Sequence, residues 1–201
     1  MKLADNKAQK SLLRRKMLGQ RQRLTTDQVK IWSQQVSQCM LKDPLFQQAR
    51  TIMGYASFRN EVDLSPLLGR SLMQGKQLLL PVTDWEKQQI LPVAVERYPA
   101  DLRPGRYGIL EPARDQKLWP LEAIDLVLVP GVAFDFQGYR LGYGRGFYDR
   151  FLTQLPRHTK IVGVAFNFQL VPTVFPEKHD VPLPVIITER GMINRLGSRR
   201  I

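Results

Sequence analysis

The stretch Asp125–Arg150, DLVLVPGVAFDFQGYRLGYGRGFYDR, decides the fold. Its first six residues, DLVLVP, read as a short buried strand ending at proline. The next twenty are rich in glycine and run into a helix expected near Phe147–Leu155. A buried strand, a glycine-rich turn and a helix in succession form the repeating unit of α/β domains. In open sheets of that class, ligands bind beyond the carboxyl ends of the strands. This loop is therefore where chemistry is expected.

The same alternation extends in both directions. Residues 6–23 read as a basic helix with Leu13, Met17 and Leu24 on one side. Thr26 is the expected cap of a second helix to Lys42, stopped by Asp43-Pro44. A helix is expected over Leu64–Gln74, capped by Asp63. Apolar runs at Thr51–Ser57, Gln77–Val82, Ile90–Glu96, Lys160–Phe166 and Val185–Thr188 read as further strands. Residues 98–120 form a long connection punctuated by Pro and Gly. The expectation is one α/β domain over residues 1–201: three layers, a mostly parallel, Rossmann-like sheet, and helices on both faces.

At 201 residues the chain can bury a full core, and its 43% hydrophobic content excludes a mostly disordered chain. The formal charge is +12, from 30 Lys+Arg and 18 Asp+Glu. Residues 1–30 carry nine of those bases and two acids; residues 190–201 carry four arginines and no acid. The body is nearly neutral, and the tail at 190–201 reads as solvated. Basic ends suggest a polyanionic partner: nucleic acid, an anionic membrane or a phosphorylated ligand.

The single cysteine, Cys39, excludes an internal disulfide and a cysteine-based zinc site. It shares a helical stripe with Val29, Trp32 and Val36, so it reads as core. No apolar run approaches the ~18 residues of a membrane span, and no secretory signal is visible. A cytoplasmic protein is expected.

Gly138, Gly142, Gly144 and Gly146 let backbone N–H groups turn toward an anion, and Arg140 and Arg145 add charge-assisted donors. The loop reads either as a phosphate cradle or as a glycine-rich strand-to-helix turn. It is not a Walker A loop, because the GK[ST] ending is absent, and its G-x-G-x-G lacks the dinucleotide spacing. Asp149 reads either as a helix cap or as a magnesium carboxylate.

The run R-L-G-Y-G-R-G-F-Y-D at 140–149 resembles the signature of the 5-formyltetrahydrofolate cyclo-ligases, also called 5,10-methenyltetrahydrofolate synthetases. The resemblance covers nearly the whole chain. Lys10-Ser-Leu-Leu-Arg14 is similar to the family's K-x-x-x-R, and Asn60-Glu61-Val62-Asp63 to its acidic element after the first strand. Leu80-Pro81-Val82, Gly108–Pro112, Pro130–Asp135 and His179-Asp180-Val181-Pro182 match in order.

The resemblance implies an ATP- and Mg²⁺-dependent ring closure on 5-formyltetrahydrofolate through a phosphorylated formyl group. It assigns ATP to Lys10, Arg14, Arg140, Leu141, Gly142, Tyr143, Gly144, Arg145, Gly146, Phe147 and Tyr148. It assigns the folate to Ala56, Glu61, Tyr143, Gly144, Arg145, Gly146 and Phe147, and Mg²⁺ to Asp149 and Asp180. A carboxylate such as Glu61 suits the donor-rich edge of a reduced pterin. Under this reading the partners are two small molecules, with no nucleic acid and no membrane, and the chain is a monomer.

Two positions depart from the family pattern: Phe147 stands where a tyrosine is common, and Pro184 where a second Asp follows His179-Asp180. Two other readings remain beside this one. One is a different phosphate-ligand enzyme of α/β architecture; the other is a nucleic-acid-binding module using the basic ends, with strongly salt-dependent affinity.

Overall fold

A computed structural model describes residues 2–113 and 117–195, with side chains from residue 5 onward. Arg199 and Arg200 lie outside the described residues. The helices are α1 (Lys2–Gln22), α2 (Thr26–Lys42), α3 (Pro44–Gln48), α4 (Ser65–Met73) and α5 (Phe147–Leu152). The strands are β1 (Thr51–Met53), β2 (Gln77–Asp84), β3 (Gln89–Val95), β4 (Leu102–Pro104), β5 (Leu110–Pro112), β6 (Leu126–Pro130), β7 (Ala133–Asp135), β8 (Arg140–Leu141), β9 (Lys160–Val164), β10 (Leu170–Val171), β11 (Val185–Thr188) and β12 (Gly191–Asn194).

Seven strands form the main sheet in the order β12-β11-β9-β6-β1-β2-β3. The inner five are parallel, and an antiparallel strand closes each edge. Alternate residues bury on opposite faces, as a strand's period of two requires. Ile52, Leu78, Leu80, Leu126, Leu128, Val162 and Ile187 join one core with Val36 and Met40 of α2, Phe46 of α3 and Leu67 and Leu68 of α4. Met53, Leu79, Val127, Val129 and Ile186 face the other way, onto Phe151 and Leu152 of α5. The three layers are thus real but unequal.

The chain steps from β1 to β2 on one side, while β6, β9 and β11 lie on the other. The crevice between the carboxyl ends of β1 and β6 is the switch point where such sheets bind ligands. A second sheet, β10-β7-β8, sits beside it. α1 covers neither main face: its Met17 packs with Val132, Ala133, Leu141 and Val174 around that small sheet.

Several boundaries differ from the sequence reading. Thr25, not Thr26, caps α2, with Gln28 completing a reciprocal capping box. Asp43-Pro44 ends α2 and also starts α3, because Asp43 accepts from Leu45 N and Pro44 suits a first helical position. The first strand stops at Met53, and Tyr55 and Ala56 leave the sheet to line a cavity. The helix after the glycine loop ends at Leu152. Residues 98–120 contain the β4–β5 hairpin. Residues 191–194 of the presumed solvated tail form β12, which covers the otherwise open edge of β11. Cys39 packs half-buried against the core.

Candidate active site

A cavity of about 840 Å³ opens where β1, β2 and β6 end. Tyr55 and Ala56 leave β1 into its wall, Thr83 comes from β2, and Pro130 and Gly131 from β6. Lys7, Lys10 and Arg14 enter from α1, and Tyr107 and Ile109 from the β4–β5 turn. Loop 140–149 lines it further, with Glu177, His179 and Asp180.

One part of the cavity is cationic and braced by carboxylates. Lys10 Nζ donates to Asp180 Oδ2 at 2.9 Å and lies 3.3 Å from Glu177 Oε1. One helical turn on, Arg14 Nε donates to the carbonyl of Gly142 at 2.9 Å. The side chain of Arg140 is only 4% exposed and its Nη2 pairs with Asp149 Oδ1 at 3.2 Å. Burial pulls the Arg140 guanidinium below its ordinary range, and Asp149 acts against that pull. Its Nη1 is buried with no hydrogen-bond partner. An orphaned buried donor on a cation is costly unless an acceptor arrives.

Asp149 does not cap its own helix. It sits in the first turn of α5, behind Gly146, and its Oδ1 accepts from Val181 N at 3.2 Å as well as from Arg140.

A second cluster surrounds Glu61. Its Oε2 accepts from Phe58 N at 3.1 Å, and its Oε1 from the Tyr143 hydroxyl at 3.2 Å. Behind them lies Arg21, 1% exposed, whose Nη1 is 3.6 Å from Glu61 Oε1. Burial pushes the Glu61 carboxyl above the ordinary range, while Arg21 pulls it down. Tyr148 feels both Glu61 and Arg140, and burial holds its phenol well above the usual value. The two clusters therefore belong to one electrostatic site.

Between them the loop turns through Gly144, whose φ of +97° lies in the left-handed region. Arg14 lies just outside it: a Cβ on Gly144 would stand 3.6 Å from the guanidinium. Aromatic rings form another wall. Trp85 meets Phe147 edge-on at 5.1 Å and Tyr107 at 5.8 Å, and Arg106 and Arg145 lie over its ring.

The profile of the 5-formyltetrahydrofolate cyclo-ligase family matches residues 6–189. The chain belongs to this family. It is 36% identical over 175 residues to the 5-formyltetrahydrofolate cyclo-ligase of Escherichia coli (strain K12), covering 86% of this chain and 96% of the relative. The NMR structure of Aquifex aeolicus 5,10-methenyltetrahydrofolate synthetase superposes with a TM-score of 0.82 at 35% identity, over 96% of this chain and 95% of that one. A 5,10-methenyltetrahydrofolate synthetase from Mycoplasma pneumoniae gives 0.73 at 25% identity, over 90% and 98%.

In this cyclo-ligase family member, every residue named from the sequence for ATP, folate or metal lines the one cavity. Three neighbours were not foreseen. Trp85 and Tyr107 come from turns that carry no motif. Arg21 continues the 10–14–17–21 spacing of α1, and a charged residue on the stripe of buried Met17 was the available signal. Trp119 packs against the core on the α5 face. Asp135 accepts from the backbone N–H groups of Gln137, Tyr139 and Val174, and so braces the small sheet.

Among the described residues, no three His, Cys, Asp or Glu side chains form a metal cage. Magnesium ordinarily takes one or two carboxylates together with phosphate oxygens and water. Asp149 and Asp180 both act on Arg140 electrostatically and both line the cavity. That donor set fits an ion delivered with a nucleotide.

Proposed function

We propose that this cyclo-ligase family member converts 5-formyltetrahydrofolate to 5,10-methenyltetrahydrofolate at the expense of MgATP, releasing ADP and phosphate. The observation that carries the reading is the coexistence, in one cavity, of a buried arginine with an unused donor and a buried carboxylate beside aromatic rings. The first suits a phosphate oxygen; the second suits the amine and N–H edge of a pterin.

The oxygen of a formyl group carried on nitrogen is a poor leaving group until it is phosphorylated. In the proposed sequence it attacks the γ-phosphorus, ADP departs, and the N10 amine attacks the activated formyl carbon. Ring closure expels phosphate and N10 gives up its proton. Lys10, Arg14, Arg140 and Arg145 neutralise phosphate charge, and the amides of 142–146 orient it. Asp149 and Asp180 would hold Mg²⁺, which when bound screens the charge of the polyphosphate. Glu61 and Tyr143 fix the pterin, with Phe147 and Trp85 as flanking rings.

The test is a spectrophotometric assay of the folded protein with 5-formyltetrahydrofolate and MgATP. Near-ultraviolet absorbance of the methenyl product should rise only when all three components are present. No ATP-dependent rise would overturn the reading.

A further inference from the structure

Arg21 contributes nothing to the cavity surface, yet the groups on that surface depend on it. Its Nε donates to Arg59 O at 2.9 Å, its Nη1 to Gly131 O at 3.4 Å, and its Nη2 to the Tyr143 hydroxyl. Tyr143 in turn donates to Glu61 Oε1. The turn that delivers Glu61 is itself held: Arg59 and Asn60 adopt φ of +48° and +56°, and Asn60 Nδ2 donates to Arg21 O at 3.2 Å. Two successive left-handed residues other than glycine persist only where the surroundings over-determine them. Arg21 provides that constraint from both its backbone and its side chain.

We propose that Arg21 is a positioning residue: its buried guanidinium holds the Glu61 carboxylate and the Tyr143 hydroxyl in one fixed arrangement for the folate. The inference rests on the reading of Glu61 as the folate carboxylate. Lysine could not replace it, because a point charge cannot serve Arg59, Gly131 and Tyr143 together as a planar fork does. Each Glu61 oxygen has one short partner from the protein, which leaves lone pairs for substrate donors.

The groups facing Glu61 are Arg21 from α1, Tyr143 from the glycine loop, Tyr148 from α5, Tyr55 beyond β1, and the N–H of Phe58. Arg21 is the one cation among them. Substrate donors need the ionised carboxylate, so binding exists above the carboxyl pKa and is lost below it. Removing Arg21 leaves burial unopposed by a cation, so the acid limb of binding must move to higher pH.

Isothermal titration of 5-formyltetrahydrofolate, with a non-hydrolysable ATP analogue at saturation, from about pH 5 to about pH 8, tests this. For Arg21→Met the acid limb should rise by about one pH unit or more, with folate Kd at neutral pH up at least about tenfold. Analogue affinity, measured separately, should stay within about twofold. Arg21→Lys should return the acid limb toward wild type while folate Kd remains about tenfold high. An unmoved acid limb, or equal losses for both ligands in step with thermal stability, would overturn the proposal. Should Arg21→Met not fold, Arg21→Lys decides: a wild-type folate Kd overturns it. Failure of the wild-type protein to bind the folate at any pH would instead reject the folate reading of Glu61.

Discussion

Lys10 and Asp180, 170 residues apart, meet at 2.9 Å, so the cation assigned to the nucleotide and a carboxylate assigned to its metal satisfy each other. Both side chains are mostly buried, at 16% and 12% exposure. A double-mutant cycle on Lys10→Met and Asp180→Asn, read by denaturant unfolding, should give a coupling of roughly 1–2 kcal/mol, between the exposed and buried ranges. Nucleotide should remove much of that coupling, because phosphate and metal would then compete for the two partners. A coupling unchanged by MgATP would show that the pair is purely structural.

Arg140 lines the cavity and keeps one buried N–H without a hydrogen-bond partner, the donor proposed for a phosphate oxygen. Arg140→Ala should cost ~2–5 kcal/mol in kcat/KM for ATP, the range for truncating one member of a buried charge pair. The folate KM should change far less. Steady-state kinetics with each substrate varied in turn provides the check.

Gly138 has φ +87°, and a Cβ there would stand 2.1 Å from the carbonyl oxygen of Leu183. That obstacle is backbone and is pinned in turn, since Leu183 N donates to Gly138 O at 2.8 Å. Gly138→Ala should therefore destabilise by about 3 kcal/mol or more, combining left-handed strain with overpacking. Calorimetric unfolding beside wild type measures it, and a Tm within a degree or two would contradict the fold at this corner.

Asp101 accepts from Glu96 N at 3.1 Å, from Arg97 N at 2.8 Å and from Arg97 Nε at 3.0 Å. The Arg97 N–H leads in holding its carboxyl below the ordinary range, with burial opposing. A carboxyl depressed on folding stabilises above its unfolded pKa and loses that contribution as pH falls through the folded value. Asp101→Asn should be less stable than wild type at neutral pH by roughly 1 kcal/mol. The gap should close on acidification below about pH 4. Thermal melts across pH would refute this if the gap were flat.

How much of this was legible in the sequence depends on the range of the interaction. The inner strands announce themselves because both faces are buried, so Leu126–Pro130 and Lys160–Val164 read as apolar runs with no tertiary knowledge. β7, β8 and β10 escaped because strands of two or three residues leave no period, and their pairing with α1 overhead is long-range. In the site, the motif at 140–149 and the K-x-x-x-R spacing carried a family pattern. Glu61 by itself was an ordinary loop acid; its significance comes from Phe58, Tyr143 and Arg21 enclosing it. Arg21 passed as one of nine bases near the N-terminus because burial of a charge is decided by what folds over it, here the 131–143 segment.

The seat of α1 bears on the order in which the molecule comes into being. Met17 is anchored by Val132, Ala133, Leu141 and Val174, and Lys10 by Asp180, all more than a hundred residues downstream. A helix that precedes the whole sheet in sequence is thus expected among the last elements to dock. Contacts of such high sequence separation form late because the loop-closure entropy comes before their reward. The sheet can assemble while the cavity still lacks one wall, so in refolding the far-ultraviolet signal should recover before turnover does.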